Sequence, residues 1–460
     1  MTVPCQKLRL TPAPDAASHS VSYTYTPGGR LASRTWARGT NATYAYNTAG
    51  SVASVVYSDS TPGLTNTYDR FGRKVSVLCG ATTTSFAYNL ANEVLSESYS
   101  GGVLGGLSVT NGYDTLLRRT NLTALHSGVL ARTLYGYDNA SRLASVTDGT
   151  NSAAYAYLAN SSLVGQITFA PSSTTRMTTA KQYDYLNRLS SISSTPSNSF
   201  AYEYNSANQR TMDRLADGSY WRYGYDSLGQ VISGNKYWND ETPVAGQQFD
   251  YGFDTIGNRL ETEAGGDQNG ENLRLASYTN NSLNQITSRS VPAYVDVMGD
   301  GIATNPVTVN GTTAYRKNEY FREQVSVVNT SPVWESVTVA APGQTSVTRH
   351  EYVAQTPENY TYDADGNLLS DGRWNYTWDG ENRLLSMTSL SGGPSGSQLE
   401  LHFAYDYRGR RIQKVALTNI GGTYTGEYTN NYVYDRWNCV ALLGPTLNLS
   451  NSFMWGLDLS

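Results

Sequence analysis

Aromatic and polar residues alternate along this chain in short runs, each of which ends in an aspartate or asparagine and a turn. In the clearest copy, YTYDADGNLL, Tyr360 and Tyr362 are two residues apart. Alternate side chains of a strand lie on opposite faces, so both rings share one face and Thr361 takes the other. Asp363 can accept the N–H groups of its own turn, and Gly366 can supply the positive φ that a short hairpin commonly needs. The pattern predicts a strand, a tight turn and a returning strand.

The same unit recurs about sixteen times along the sequence, mostly at intervals of about 20 to 29 residues. One such unit cannot bury its aromatic face alone, so neighbouring units must stack and share a continuous core. We therefore predict an all-β fold of stacked hairpins. The residues predicted to build the repeated unit are Tyr137, Asp138, Tyr225, Asp226, Gly229, Tyr362, Asp363, Gly366, Tyr405, Asp406, Gly409, Tyr434 and Asp435.

The series of repeats is interrupted between Tyr278 and Tyr362, where valine-rich alternating runs replace the aromatic units. Within this interval VTVNG runs into Asn310-Gly311, a dipeptide typical of two-residue hairpin turns. The interval predicts a small inserted β-sandwich, and its VTVNG hairpin resembles that of bacterial Ig-like domains. The sequence thus divides into an N-terminal segment (1–20), repeats (21–286), the inserted β-sandwich (287–351) and further repeats (352–460).

Composition supports strands and turns and excludes several function classes. Charged residues make up 15% of the chain, well below the roughly 25% of an average globular protein. The chain has 36 tyrosines, and aromatic residues suit a pleated sheet. A net charge of −5 gives no general attraction to nucleic acid, and the short basic cluster Arg408, Arg410 and Arg411 is assigned to a solvated strand. The sequence contains neither a signal-peptide pattern nor a run of about 20 apolar residues that would span a membrane.

The residues that commonly bind metals or cofactors are scattered. Cys5, Cys79 and Cys439 form neither a disulfide framework nor a zinc pattern, and the latter two are interpreted as small buried hydrophobic residues. The four histidines are equally dispersed: His19, His126, His350 and His402. We predict no metal site and no cofactor.

The carboxylates also have structural explanations. Asp363-Ala-Asp365-Gly366 places its glycine fourth, whereas an EF-hand calcium loop needs it sixth. Asp363 and Asp379 could pair for glycoside hydrolysis, but both are repeat residues. No nucleophile elbow or phosphate-binding loop occurs, so no catalytic residue is predicted.

Tryptophans offer a different kind of site, because their faces can stack on sugar rings. Most aromatic side chains of this chain are expected to fill the shared core. The candidates for a glycan-stacking surface are Trp221, Trp238, Trp374 and Trp378.

The repeated Y-x-Y-D-x-x-G-R/N-L resembles the YD repeat of RHS proteins, a family that includes bacterial RHS proteins, insecticidal toxin-complex C components and animal teneurins. The resemblance implies a long β-sheet that spirals into a partial or complete hollow shell, which in toxin members encloses a C-terminal polypeptide. It also implies an extracellular or cell-surface location. The end of the chain, from Tyr432 to Ser460, resembles the stretch before the RHS-associated core. The R-Y-Y-D-P and D-P-x-G segments of that core are absent, so we expect a fragment of a longer protein without self-cleavage.

Three functions follow from these observations. The first is a non-catalytic shell segment that encloses or presents another polypeptide, such as a toxin domain encoded beyond this chain or a cell-surface protein. The alternative is an extracellular module that binds carbohydrate or mediates adhesion. The third, an enzyme acting on polysaccharides, lacks a recognisable site.

Overall fold

The computed structural model describes residues 20–456. The predicted N-terminal segment, apart from its last residue, therefore lies outside the described residues, as do Cys5, His19 and the last four residues of the chain. Within residues 20–456 the secondary structure consists of strands, turns and bends, with no helix.

The first part of the chain forms one antiparallel meander, in which each strand pairs with the strand before it and the strand after it. Its strands are β1 (Ser22–Tyr25), β2 (Leu31–Thr35), β3 (Asn41–Tyr46), β4 (Val52–Tyr57), β5 (Leu64–Tyr68), β6 (Lys74–Cys79), β7 (Thr82–Tyr88), β8 (Val94–Ser100), β9 (Ser108–Tyr113), β10 (Arg119–Leu125), β11 (Val129–Tyr137), β12 (Leu143–Thr147), β13 (Asn151–Tyr157), β14 (Val164–Pro171), β15 (Met177–Tyr183), β16 (Leu189–Ser194), β17 (Asn198–Tyr204), β18 (Arg210–Leu215), β19 (Tyr220–Tyr225), β20 (Val231–Tyr237), β21 (Gln248–Phe253), β22 (Arg259–Gly265), β23 (Leu273–Asn280) and β24 (Ile286–Arg289). We call β1–β24 the first coil.

The two faces of this sheet differ in exposure, as the alternation of side chains predicts. In β4, Val55 is 6% exposed and the next residue, Val56, is 60% exposed. In β6, Val77 is fully buried whereas Leu78 is 44% exposed. One face is therefore covered along these strands and the other faces solvent.

An inserted unit follows β24. Its strands are β25 (Tyr294–Asp300), β26 (Thr308–Val309), β27 (Thr312–Thr313), β28 (Tyr315–Lys317), β29 (Tyr320–Ser326), β30 (Val333–Ala340) and β31 (Val347–Val353). They form a three-stranded sheet (β25, β29, β28) and a four-stranded sheet (β27, β26, β30, β31).

The two small sheets of the inserted unit share one apolar core. Phe321 of the first sheet packs in the same cluster as Val309 and Val337 of the second. Asn310 and Gly311 join β26 to β27 and have φ values of 47° and 83°, which a two-residue primed turn requires. The inserted unit is thus a small β-sandwich, while its resemblance to Ig-like domains and its boundaries stay predictions.

The sheet resumes beside the strand at which it was interrupted. The remaining strands are β32 (Glu358–Asn359), β33 (Thr361–Tyr362), β34 (Leu368–Ser370), β35 (Trp374–Trp378), β36 (Leu384–Ser389), β37 (Leu399–Tyr405), β38 (Arg411–Ile420), β39 (Thr423–Asp435), β40 (Asn438–Leu443) and β41 (Leu449–Ser452). β32 pairs with β24, and the N–H of Tyr360 donates to the carbonyl of Thr287 at 2.9 Å, so β32 and β33 continue the meander. We call β33–β41 the second coil.

The sheet turns back on itself. Its strands pair only with their neighbours in the meander, yet hydrogen bonds join residues of the two coils that are between 313 and 347 positions apart. A ribbon of this kind can make such contacts only by curving through a full turn. One apolar cluster contains Val109 and Leu122 of the first coil together with Val433 and Val440 of the second. The second coil therefore covers part of the buried face of the first coil, which we call the inner face.

This architecture confirms the predicted all-β fold, a spiralling sheet of stacked hairpins with a small inserted β-sandwich.

Candidate functional site

The repeated turn is closed by its aspartate. Asp138 accepts hydrogen bonds through Oδ1 from the N–H groups of Ala140 and Arg142, both at 2.9 Å. The Nε of Arg142 donates to Oδ2 at 2.8 Å. The backbone N–H of Arg142, together with its guanidinium, holds the pKa of Asp138 below its usual value, although desolvation opposes this shift. The aspartate is therefore ionised, and its carboxylate stabilises the turn by accepting these hydrogen bonds.

The same ion pair closes other turns along the sheet. Their Nε–Oδ2 distances are 2.6 or 2.7 Å, at Asp69–Arg73, Asp114–Arg118, Asp184–Arg188, Asp379–Arg383 and Asp406–Arg410. Where the arginine is absent, the aspartate still binds the turn: Asp226 accepts from the N–H groups of Leu228 and Gln230, and Asp363 accepts from the side-chain amide of Asn367.

Where it is present, the arginine also connects its turn to the next one. Arg142 Nη1 donates to the carbonyl of Ser161 at 2.7 Å, and its guanidinium lies 4.1 Å from the ring centroid of Tyr157. Equivalent cation–π contacts of 4.7 to 5.3 Å join Arg73 to Tyr88, Arg118 to Tyr137, Arg188 to Tyr204, Arg383 to Tyr405 and Arg410 to Tyr434. The turns therefore form a connected row along one edge of the sheet.

The tyrosine that ends each unit has a second function. Tyr225 donates its hydroxyl to the carbonyl of Arg210 at 2.6 Å, just beyond the point where β18 and β19 stop pairing. The hydroxyl thus supplies a donor where the backbone ladder has ended. The same bond, at 2.6 to 3.1 Å, is made by Tyr46, Tyr68, Tyr88, Tyr113, Tyr137, Tyr157, Tyr183, Tyr204, Tyr362, Tyr405 and Tyr434.

Glycine occupies the turn position at which the backbone adopts a left-handed conformation with positive φ. Gly229, Gly366 and Gly409 have φ values of 82°, 85° and 82°. Asn187 and Asn382 occupy the same turn position in other units with φ values of 61° and 57°, as expected of a residue that tolerates this region.

The two coils meet at a buried network of charges, which we call the seam. Arg410 is 2% exposed, and its guanidinium contacts Asp406 Oδ2 at 2.6 Å and Glu97 Oε1 at 2.7 Å. Glu97 lies in β8 of the first coil, where it also accepts the hydroxyl of Tyr99 at 2.7 Å. Desolvation and the nearby Glu97 raise the pKa of Tyr99, which keeps it protonated as a donor. The prediction that Arg410 belongs to a solvated strand is wrong, because Arg410 joins the two coils.

The final unit departs from the others at its aspartate. Asp435 pairs with Arg119 of the first coil, whose Nη2 lies 3.3 Å from Asp435 Oδ1. The seam therefore continues from β8 to β10.

A second group of seam contacts lies where the second coil begins. The backbone N–H of Arg38 donates to Asp365 Oδ1 at 3.0 Å, and the Nε of Arg38 lies 3.0 Å from Oδ2. Glu381 accepts from Arg34 at 2.6 Å and from the hydroxyl of Tyr57 at 2.7 Å. Asp365 and Glu381 each stand two positions after the turn aspartate, so in these two units this position contacts the first coil.

Sequence reasoning missed the seam because its partners are distant in sequence. The available signal was departure from the repeat, since Asp365 and Glu381 place a charge where several other units have an apolar residue.

The four candidate tryptophans occupy separate environments. Trp221 stacks on Phe249 with ring centroids 6.1 Å apart, and Trp238 meets Tyr320 of the β-sandwich edge-on at 5.5 Å. Arg373 lies over Trp374. Trp378 Nε1 donates to the carbonyl of Leu368 at 2.7 Å.

Trp378 therefore makes the bond that a tyrosine hydroxyl makes in other units. All four tryptophans are half-buried. The glycan-stacking assignment stays a prediction.

The remaining reactive groups are dispersed. Cys79 and Cys439 are free and half-buried, and desolvation raises the pKa of both thiols. His350 stacks on Trp334. In the part of the chain that the structure describes, His, Cys, Asp and Glu form no group of three or more that could bind a metal ion. None of the described segments forms a helix long and apolar enough to cross a membrane.

Comparison with known proteins found short sequence matches and distant structural ones. No family model matches the chain. It is 33% identical over 101 residues to the tRNA nuclease WapA of Bacillus subtilis (strain 168), a match that covers 22% of this chain and 4% of that protein. It is 37% identical over 78 residues to the tRNA3(Ser)-specific nuclease WapA of Bacillus spizizenii, covering 17% of this chain and 3% of that protein. The chain thus spans a few per cent of the length of these curated relatives.

Among solved structures, the crystal structure of TcdB2-TccC3-TEV has a TM-score of 0.42 and 12% identity, covering 93% of this chain and 25% of that chain. The Photorhabdus luminescens Tc holotoxin pore has a TM-score of 0.43 and 12% identity, covering 93% of this chain and 24% of that chain.

Proposed function

We propose that this chain is a non-catalytic segment of an RHS-type shell that encloses or presents an associated polypeptide outside the cell or at its surface. The observation that carries the proposal is the return of the sheet on itself, with the second coil seated against the inner face of the first. A curved sheet with one solvent-facing side and one enclosed side suits a container better than a catalyst.

The contacts of the repeated residues support a structural role. The turn aspartates, arginines and strand-ending tyrosines bind one another or the backbone. They recur along the sheet, whereas a catalytic constellation would be a single departure from the repeat. No residue of this chain is proposed to be catalytic. The nuclease relatives match only about a fifth of this chain, so their activity is not assigned to it.

Under this proposal, an enclosed polypeptide that follows this chain would begin near the last described residues. Trp455 and Gly456 line a cavity of about 540 Å³ together with Tyr155 and Ile167 of the first coil. Tyr155 and Ile167 are cross-strand partners in β13 and β14, and Ile167 is buried. A polypeptide that continues from Gly456 would therefore start at the inner face.

The proposal can be tested by protease protection. An unstructured reporter peptide would be fused after Ser460 in one protein and before Met1 in another, and the rate of its digestion would be measured for both. We expect the C-terminal reporter to be cleaved at least about ten times more slowly, because cleavage requires access to the inner face. Equal rates of cleavage at the two ends would rule out enclosure.

The matched control is the C-terminal fusion with Arg410→Ala, which weakens the seam. Loss of protection in that variant would tie the protection to closure of the coil. Protection that depended only on the sequence of the reporter would persist in the variant and would contradict the proposal.

A further inference from the structure

Two hydrogen bonds fix the course of the chain after β41. The N–H of Phe453 donates to the carbonyl of Val440 at 3.0 Å, and Trp455 Nε1 donates to the carbonyl of Cys439 at 2.6 Å. Both acceptors lie in β40, so the residues that follow β41 are held against the second coil. From there the chain runs to the inner face of the first coil.

Gly456 lies directly against β12 and β13 of the first coil. A Cβ at Gly456 would overlap the hydroxyl of Tyr155 and would lie 3.3 Å from Cγ2 of Val146. Glycine therefore brings the backbone closer to the inner face than a residue with a side chain could, unless the ring of Tyr155 moved. The next residues of the chain thus begin at one defined place on the inner face.

The inner face is apolar at this place. Ala153, Val164 and Ile167 of β13 and β14 form a buried cluster, against which the rings of Tyr155 and Phe169 pack. We call these five residues the wall cluster. It is separate from the apolar cluster that joins the two coils. An apolar segment that followed Gly456 would have a matching surface beside it.

A cation borders the wall cluster. Thr179 of β15 is the cross-strand partner of Ile167, and Lys181 stands two positions after Thr179 on the same face. Lys181 is 5% exposed. An ammonium at this depth is stabilised by negative charge placed close to it. The wall cluster therefore offers an apolar surface with a positive charge at its border.

The segment 457–460 has the complementary chemistry. It reads LDLS, so Leu457 and Leu459 flank Asp458. In an extended backbone the two leucines share one side. Four extended residues span at most about 14 Å, which exceeds the distance of about 10 Å between β13 and β15. The segment is thus long enough to cross the wall cluster from Gly456 to the border formed by β15.

We propose that the segment 457–460 binds the wall cluster, with its leucines against Ile167 and the carboxylate of Asp458 beside the ammonium of Lys181. The contact fixes the path of the chain along the inner face. It is local to β13–β15 and does not require that the shell enclose another polypeptide. The proposed function and this contact can therefore fail independently.

Thiol labelling of the full chain tests the contact. The reporter is Ser460→Cys, which keeps both leucines and the aspartate of the segment. Its rate of reaction with a small water-soluble maleimide is measured by peptide mass spectrometry, which separates it from the native cysteines. We expect it to react at least about ten times more slowly than Val328→Cys, because labelling requires the segment to leave the wall. Val328 is 81% exposed, and equal rates at the two positions would overturn the proposal.

A second substitution in the reporter chain separates docking from other causes of protection. Ile167→Ala removes the apolar contact, and we expect it to raise the labelling rate about tenfold. Val77→Ala is the matched control, since Val77 is equally buried in β6, and it should leave the rate unchanged. Equal increases in the two variants would mean that only overall stability had changed, and would overturn the proposal. Protection lost in Arg410→Ala but kept in Ile167→Ala would also overturn it, while supporting enclosure by the shell.

The ion pair has a test of its own. Asp458→Lys places like charges together and should raise the labelling rate, and adding Lys181→Asp should restore slow labelling. Circular dichroism shows whether each variant is folded. Asp458→Asn leaves the wall intact and removes the charge, so it should also raise the rate. An unchanged rate in Asp458→Asn, or a folded double variant that reacts as fast as Asp458→Lys, would overturn the pairing with Lys181.

Discussion

At the scale of single residues, the repeat depends on hydrogen-bond donors placed where the backbone ladder ends. The hydroxyl of Tyr225 reaches the carbonyl of Arg210, and in one unit the indole of Trp378 reaches the carbonyl of Leu368 instead. A phenol and an indole share a flat apolar body and a polar tip. Their interchange indicates that the unit requires a ring that packs against the sheet and a donor at its end.

The tyrosine bond makes a measurable contribution to stability. Tyr225→Phe removes the hydroxyl and leaves the carbonyl of Arg210 without this partner, so we expect the free energy of unfolding to fall by about 0.5–1.5 kcal/mol. Chemical denaturation monitored by circular dichroism would measure the change. Tyr185→Phe is the matched control, since Tyr185 is fully exposed, and it should change stability little. Equal effects of the two substitutions would show that the bond to Arg210 contributes nothing.

At the scale of elements, the β-sandwich is inserted between two strands that are neighbours in the sheet. Arg289 at the end of β24 is the cross-strand partner of Glu358 at the start of β32, and their side chains form an ion pair. The chain therefore leaves the sheet and returns to it at the same place. The β-sandwich also packs on the first coil, where the hydroxyl of Tyr320 donates to the carbonyl of Ala245 at 2.5 Å.

Removing the β-sandwich should therefore leave the coil folded. We predict that replacing residues 290–357 with Asn-Gly, a dipeptide suited to a two-residue hairpin, yields a soluble β-sheet protein. Its stability should fall by no more than about 3 kcal/mol, the share that contacts such as that of Tyr320 contribute. Circular dichroism and denaturation would test this. A deletion variant that is unfolded or aggregated would mean that the β-sandwich is part of the coil's core.

Elements could be predicted from the sequence because their determinants are local. The alternation around Tyr360 and Tyr362, the turn chemistry of Asp363 and the Asn310-Gly311 dipeptide each act within a few residues. The seam could not be predicted in the same way. Arg410 has the same turn partner as its counterparts in other units, and only the fold brings Glu97 beside it, 313 positions away. Closure of the coil is a property of accumulated curvature, which no single motif encodes.

At the scale of the whole molecule, the same turn motif contributes differently to stability in different units. Arg142 and Arg410 occupy the same turn position and each pairs with the aspartate four residues earlier. The side chain of Arg142 is 36% exposed and that of Arg410 is 1% exposed. A solvated pair contributes little, because water screens it. Removing one member of a buried network is costly, because the remaining charges lose their compensation.

The two arginines therefore provide a direct test of the seam. Arg410→Ala leaves Glu97 and Asp406 buried without their cation, and we expect the free energy of unfolding to fall by about 3–5 kcal/mol. Arg142→Ala should cost about 1 kcal/mol or less. Limited proteolysis distinguishes a seam effect from a local one: cleavage in β38–β41 should accelerate in Arg410→Ala and stay unchanged in Arg142→Ala. If the two variants were equally stable and equally resistant, the Arg410–Glu97 contact would not hold the molecule closed, and closure would have to rest on the other contacts between the coils, such as Arg119–Asp435 and the apolar cluster around Val433.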